Sequence, residues 1–204
     1  MPVIITDVRL SWVRDIIQLE MADRDSATGV LGLVQAYVIS VALQDGPEEL
    51  SDPNTLGAWL LARGLLEPGQ TVTEGDLKHA IAVREAIRGL IGAHSGGKVY
   101  PLDIAILNEA ATASRLRARF GADGEARLEP EAGGVAGAMG RVVAAVFAAM
   151  AEEDWGRLKL CDSQTCRWAF YDLSRNHSSR WCTMASCGNR QKARRFRERA
   201  KSGV

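Results

Sequence analysis

The first 160 residues contain no cysteine, and the whole chain has only 3 histidines and 6% aromatic residues. A body so poor in thiol and imidazole offers no Cys–His pair for nucleophilic catalysis. Its two histidines, His79 and His94, have no cysteine or carboxylate partner at ligand spacing and read as surface or capping residues. Long apolar runs are missing too. The greasiest stretches, Val30 to Leu43 and Met139 to Ala151, are interrupted by Gln35, Ser40 and Arg141, which argues against a membrane span. No charged segment followed by an apolar one opens the sequence, so a secretory leader is not expected. The cytoplasm, where thiols stay reduced, is the expected compartment. The glycine pairs at 96–97 and 133–134 lack the spacing of a phosphate loop and the Lys-Ser/Thr that follows one, so they read as turns. With no nucleophile and base in one pattern, an enzyme is not expected.

What is present is ordinary globular material: 204 residues, 47% apolar and 25% charged, enough for one core plus a small module. The formal net charge of zero is uneven along the chain. Residues 161–204 hold 10 basic against 3 acidic side chains, which leaves 15 against 22 for residues 1–160. All four cysteines share the basic segment. Charge and cysteine therefore mark one boundary, and two domains are expected: residues 1–155 and residues 156–204.

The body reads as mostly helical with one small hairpin, an α+β fold. Val30, Leu33, Val34, Tyr37, Val38 and Val41 recur at helical spacing. Ser51 or Asp52 caps a second helix that has Pro53 in its first turn and stops near Gly64. Thr73 and Asp76 form a capping box ahead of Leu77, Ala80, Ile81, Ile87, Leu90 and Ile91, a helix ended by Gly96 and Gly97. Pro101 opens a helix through Leu107. Alternation over 115–120, the turn formers Gly121 to Gly124 and the run Ala126 to Leu128 predict a β-hairpin. Met139, Val142, Val143, Val146, Phe147 and Met150 predict the last long helix. Before residue 28 the pattern is ambiguous, with Val3 to Ile5 a candidate strand and Trp12 to Leu19 a candidate helix.

The cysteines, Cys161, Cys166, Cys182 and Cys187, are spaced C-x4-C, fifteen residues, C-x4-C. Two equal pairs on short turns suit a structural zinc ion, which takes four sulfur or nitrogen donors at tetrahedral corners. Disulfides, an iron–sulfur cluster and four unrelated buried thiols are the competing readings, and His177, between the pairs, is the candidate substitute ligand. Trp168, Phe170 and Tyr171 supply an apolar patch, and 167–173 is a candidate strand. A segment so small needs the metal for stability, on the order of 10 kcal/mol.

Beyond Cys187 a basic helix is expected. Ala193, Phe196 and Ala200 form a thin apolar stripe to seat it on the zinc module, leaving basic faces free. With ionised thiolates and zinc the module carries about +5. Arg190, Lys192, Arg194, Arg195, Arg197, Arg199 and Lys201 are candidate phosphate contacts, Arg175 and Arg180 supplementary ones, and Asn189 and Gln191 candidate readers of base edges in double-stranded DNA. The alternatives are a solvated basic terminus and a zinc-stabilised interaction module that binds an acidic partner.

Cys161-x4-Cys166, Trp168-Ala-Phe170, Asp172-x-Ser174-Arg175-Asn176 and Arg180-Trp181-Cys182-Thr-Met184-x-x-Cys187-Gly188-Asn189-Arg190 together resemble the CGNR zinc finger. The body resembles the ABATE domain that usually precedes it, through the Asp52-Pro53 helix, Val83-Arg84-Glu85-Ala86, Leu107-Asn108 and the hairpin before the last long helix. The resemblance implies that the four cysteines are the zinc ligands, that the terminal module is treble-clef-like and that Arg190 and its basic successors face DNA. It also implies a bacterial transcription regulator, with room for a small-molecule effector in the body; because DNA readers often work as dimers a homodimer is a further candidate, though no heptad pattern supports one. The chain departs from the family at Leu31-Gly32-Leu33-Val34-Gln35-Ala36-Tyr37, where a Leu-Asp-Phe-Val-Asn-Thr motif is common. Any ligand site built on that acid and asparagine is altered or absent here.

Overall fold

The computed structural model describes residues 27–41 and 48–201. The candidate strand at Val3 to Ile5 and the candidate helix at Trp12 to Leu19 lie outside these residues. The described chain runs α1 (Gly29–Val38), α2 (Pro53–Ala62), α3 (Glu74–Ala93), α4 (Pro101–Ala113), β1 (Leu116–Phe120), β2 (Ala126–Pro130), α5 (Gly134–Ala151), β3 (Leu158–Leu160), β4 (Ala169–Tyr171) and α6 (Asn189–Lys201). It is an α+β fold, mostly helical, with two separate antiparallel pairs, β1–β2 and β3–β4.

Local chemistry places the helix ends. The Asp52 carboxylate accepts from the amides of Asn54 and Thr55 while the Thr55 hydroxyl accepts from the Asp52 amide, which closes a capping box at the start of α2. Thr73 and Asp76 do the same for α3. After α2, Gly64 sits at φ +62° and Leu65 donates back to Leu60 O, a left-handed stop that only glycine makes without strain. α1 ends at Val38, three residues short of the stripe that predicted it. The Ser40 hydroxyl caps Tyr37 O, and Val41 leaves to bridge Glu48. α4 runs past Leu107 to Ala113, because the alanine-rich sequence continues to favour helix. The predicted hairpin forms with Leu116 opposite Pro130 and Phe120 opposite Ala126.

One core takes side chains from α1, α2, α3, α5 and the β3–β4 pair, with Val34, Tyr37, Leu60, Ile87, Met139, Val142 and Leu158 fully buried. α5 is apolar and long enough to cross a membrane by composition, yet most of it is buried inside this core. Phe147 and Met150 depart from the predicted stripe and are more than half exposed. The buried row instead follows Val135, Ala138, Met139, Val142, Ala145, Val146 and Ala149, and the two larger residues fall on its outer flank. Arg84 and Arg88 are buried polar exceptions. Arg84 grips Glu48 with two hydrogen bonds of 2.6 and 2.7 Å. Burial works to raise the Glu48 carboxyl, but Arg84 outweighs it and holds Glu48 below the usual carboxylate range.

Gly140 lies where α5 meets the hairpin, and a Cβ there would come within 2.5 Å of Ser114 Cβ and 2.9 Å of Pro130 Cβ. Gly140→Ala is expected to destabilise the fold by about 1–3 kcal/mol through overpacking, read by chemical denaturation. An unchanged midpoint would show that this approach is not close.

Candidate metal centre and basic extension

β3 and β4 pair with Leu158 opposite Tyr171 and Leu160 opposite Ala169, so the chain must reverse between Leu160 and Ala169. Cys161 and Cys166 lie on that reversal. Its turn is held by the amides of Cys166 and Arg167, both donating to Ser163 O, and by the Cys161 amide donating to Trp168 O. Arg167 takes a left-handed conformation, φ +49°, to bring the chain back. The second pair comes from the entry to α6. Cys182 precedes a wide turn, Met184–Gly188, in which Thr183 accepts from the Ser186 amide, and Cys187 lies in this turn just ahead of α6. A knuckle on a hairpin facing a pair at a helix start is the treble-clef-like arrangement expected from the sequence.

The four Sγ atoms all lie within 4.8 Å of one another. Cys166 and Cys182 Sγ are 3.8 Å apart, and Cys182 and Cys187 Sγ are 3.7 Å apart. Four sulfurs about 2.3 Å from a tetrahedral ion are separated by about 3.8 Å along each edge, so the spacing fits a metal. It does not fit disulfides, which need S–S near 2.0 Å, and all four thiols are free. His177 is exposed, at φ +48°, and is not among the clustered donors.

The sulfurs oppose one another's ionisation. A hydrogen bond from Cys182 pulls the Cys161 thiol down to about 5. Cys182 is pushed far up, first by that same hydrogen bond and then by burial. Burial also pushes Cys166 up, to about 11. Ionisation of Cys161 is thus favoured at the expense of Cys166 and Cys182, a repulsion that a cation among the sulfurs would offset. The donor set therefore fits a divalent metal ion.

Sequence reasoning missed the organiser of the loop between the pairs. Asp172, at the end of β4, is buried and accepts from Lys159 Nζ at 2.8 Å and from the amides of Ser174 and Ser179 at 2.9 and 3.0 Å. Lys159, itself buried, also donates to His177 O. Burial works to raise the Asp172 carboxyl, but Lys159 and the serine donors outweigh it and leave it well below the usual carboxylate range. The alternation of Lys159 and Asp172 on short flanking strands was the available signal.

The predicted contact residues are not equivalent. Arg175 is exposed on the loop. Arg180 is ion-paired with Asp162, and its guanidinium lies 5.6 Å from the Trp181 ring centre. Arg190 directs Nη2 at Cys187 Sγ, 3.7 Å away. Arg194 pairs with Glu198 at 2.8 Å, and Arg197 Nε donates to Ala193 O at 3.4 Å. Lys192, Arg195 and Arg199 are exposed at i, i+3, i+7 spacing, and Lys201 closes α6. Asn189 Nδ2 donates to Ala185 O at 3.3 Å, and half-buried Gln191 lines a cleft of about 380 Å³ with Trp181, Arg194, Arg195 and residues 162–165. The expected apolar seat for α6 is not used. Phe196 is 71% exposed and Ala193 and Ala200 are exposed, because the neighbouring surface is the polar cysteine loop, which the helix faces through Gln191, Arg194, Arg195 and Glu198.

A helical body joined to a four-cysteine centre and a basic helix has the layout of a zinc-finger protein. Residues 30–153 match the ABATE family, described as "Putative stress-induced transcription regulator", and residues 157–200 match the CGNR zinc finger. The chain belongs to the ABATE family and carries a CGNR zinc finger. No curated protein matches it.

Asp172→Ala leaves Lys159 buried without its partner and is expected to cost about 3 kcal/mol. A depressed carboxyl stabilises the fold fully above its unfolded value of about 3.9 and loses that contribution as pH falls through the lower folded value. The gap between wild type and variant in thermal melts should therefore shrink on acidification below about pH 4. A gap independent of pH would sink this account of the Lys159–Asp172 pair.

Proposed function

We propose that this chain is a zinc-dependent, DNA-binding transcription regulator. The observation that carries the reading is a set of four sulfurs within 4.8 Å of one another, two of the separations at the tetrahedral-edge length, at the root of an exposed basic helix. Zinc is the ion because four thiolates in tetrahedral array suit it, and Cys161, Cys166, Cys182 and Cys187 are its ligands. A four-coordinate ion has no open position, so it holds structure and performs no reaction. The division into a body, residues 1–155, and a finger, residues 156–204, belongs to the same proposal, as do a cytoplasmic setting, a small-molecule effector of the body and a homodimer.

Lys192, Arg195 and Arg199, with Arg197, Arg194 and Lys201 beside them, dock on phosphates. Arg175 adds a contact from the loop. Arg180 does so only by exchanging its Asp162 partner, and Arg190 screens the Cys187 thiolate while standing at the DNA-facing end of the helix. Gln191 and Asn189 are the polar side chains placed to reach base edges. The −7 charge of residues 1–160 keeps the body off the phosphates and leaves the helix as the electrostatic footprint.

Purified protein is expected to contain one zinc per chain, and Cys182→Ser to lower that content. Elemental analysis checks both, and metal-free but folded wild-type protein would overturn the ligand assignment. Arg195→Ala combined with Arg199→Ala should weaken binding to mixed duplex fragments and reduce the slope of log K against log salt by about 2, near 0.9 per lost phosphate contact. Superimposable isotherms across a salt series would remove α6 from the interface.

A further inference from the structure

The two cysteine pairs differ in what holds them. Four side chains of the helical body reach the β3–β4 hairpin, and each bonds a backbone carbonyl. His94 Nδ1 lies 2.7 Å from Leu158 O, and Ser95 Oγ donates to Leu160 O at 3.4 Å. Arg88 Nη1 donates to Arg167 O at 3.1 Å, and Gln35 Nε2 donates to Ala169 O at 3.2 Å. Leu158, Leu160 and Ala169 also belong to the same apolar core as α1, α3 and α5. A Cβ on Gly92 would lie 3.5 Å from Leu160 Cδ1 and 3.6 Å from an Arg167 guanidinium nitrogen, so the knuckle rests against the end of α3. The second pair has a different setting, because the turn bearing Cys187 packs with α6.

Arg88 is the central element of this attachment. It is 5% exposed, its Nε is oriented by Glu85 at 2.9 Å, and its remaining nitrogens donate to Val38 O at the end of α1 and to Arg167 O, one residue after Cys166. Arg167 needs such support because its left-handed backbone sets the exit of the knuckle turn. Gln35 acts alongside, fixed at its other end by the Ala27 amide at 2.7 Å. Gln35 is the residue that departs from the asparagine common at this point of the family motif.

We propose that Arg88 and Gln35 are positioning residues for the metal, holding the Cys161–Cys166 half-site in its ligating geometry from within the body. The metal then joins a half-site that belongs to the body to a half-site that belongs to the basic helix. Through Arg88, the packing of α1 against α3 is coupled to metal retention. This inference rests on the zinc reading of the four cysteines.

The test uses the full-length chain, loaded with zinc and transferred into an excess of a chromophoric chelator well below the melting temperature. Arg88→Met keeps the length of the stem and removes both carbonyl contacts, and it is expected to release zinc about tenfold faster than wild type, the usual loss when a residue orienting a metal ligand is removed. Gly140→Ala, which overpacks α5 against Ser114 and Pro130 at the β1–β2 pair, lowers global stability and should release zinc at the wild-type rate. Should Arg88→Met fail to fold, Gln35→Met tests the same attachment and is expected to accelerate release in the same direction. Release from folded Arg88→Met or Gln35→Met at the wild-type rate overturns the proposal, as does equal acceleration by Gly140→Ala. Wild-type protein that takes up no zinc overturns instead the metal reading beneath it.

Discussion

Four sulfurs brought within 4.8 Å of one another are under an electrostatic constraint that the rest of the C-terminal architecture follows from. Crowded thiols share protons instead of losing them together, and a divalent cation is what allows four thiolates to coexist. The separations of 3.7 and 3.8 Å suit such an ion at their centre. Neither pair of cysteines sits in a long regular element. One is on an eight-residue reversal between two three-residue strands, the other on a single wide turn and the residues just before it. Elements that short are marginal alone, so convergence of the sulfurs is what gives them a common frame.

That frame is not isolated from the helical body. The strands that carry the first pair contribute Leu158, Leu160 and Ala169 to the main core, and the body answers with hydrogen bonds to four carbonyls along the hairpin. Bonds to backbone carbonyls specify where a strand lies without regard to its side chains. The Lys159–Asp172 pair works on the same hairpin. There a buried charge pair and two serine amides shape the loop that leads toward the second pair of cysteines.

Charge is sorted along the chain as well. The basic residues of α6 project from the turn that bears Cys187 with little apolar contact, and Phe196 stands in solvent. A helix of this composition has little apolar attachment to the protein, and it meets the cysteine loop through the polar side chains of Gln191, Arg194, Arg195 and Glu198. Under the DNA-binding proposal this is a functional arrangement, because arginines free of the protein surface are available to phosphate while the acidic body stays clear.

Local features of the fold were legible in the sequence because they are produced by neighbours a few residues apart. The Thr73–Asp76 box, the Asp52-Pro53 helix start, the Gly64 stop and the 116–130 hairpin each depend on side chains that reach their own backbone or on glycine at a required φ. The cysteine spacing likewise announced a four-donor cluster, since short turns of this length bring paired sulfurs together. Long-range packing decided the rest. It buried Arg84 and Arg88, exposed Phe147 and Phe196, gave Asp172 its lysine and aimed Gln35 at a carbonyl 134 positions away. Periodicity reports which face of an element is apolar but not which surface meets it, and buried polar contacts carry no period at all. The sequence therefore determined the elements and the donor set, while tertiary structure alone decided that the strands flanking the first cysteine pair pack into the core of the body.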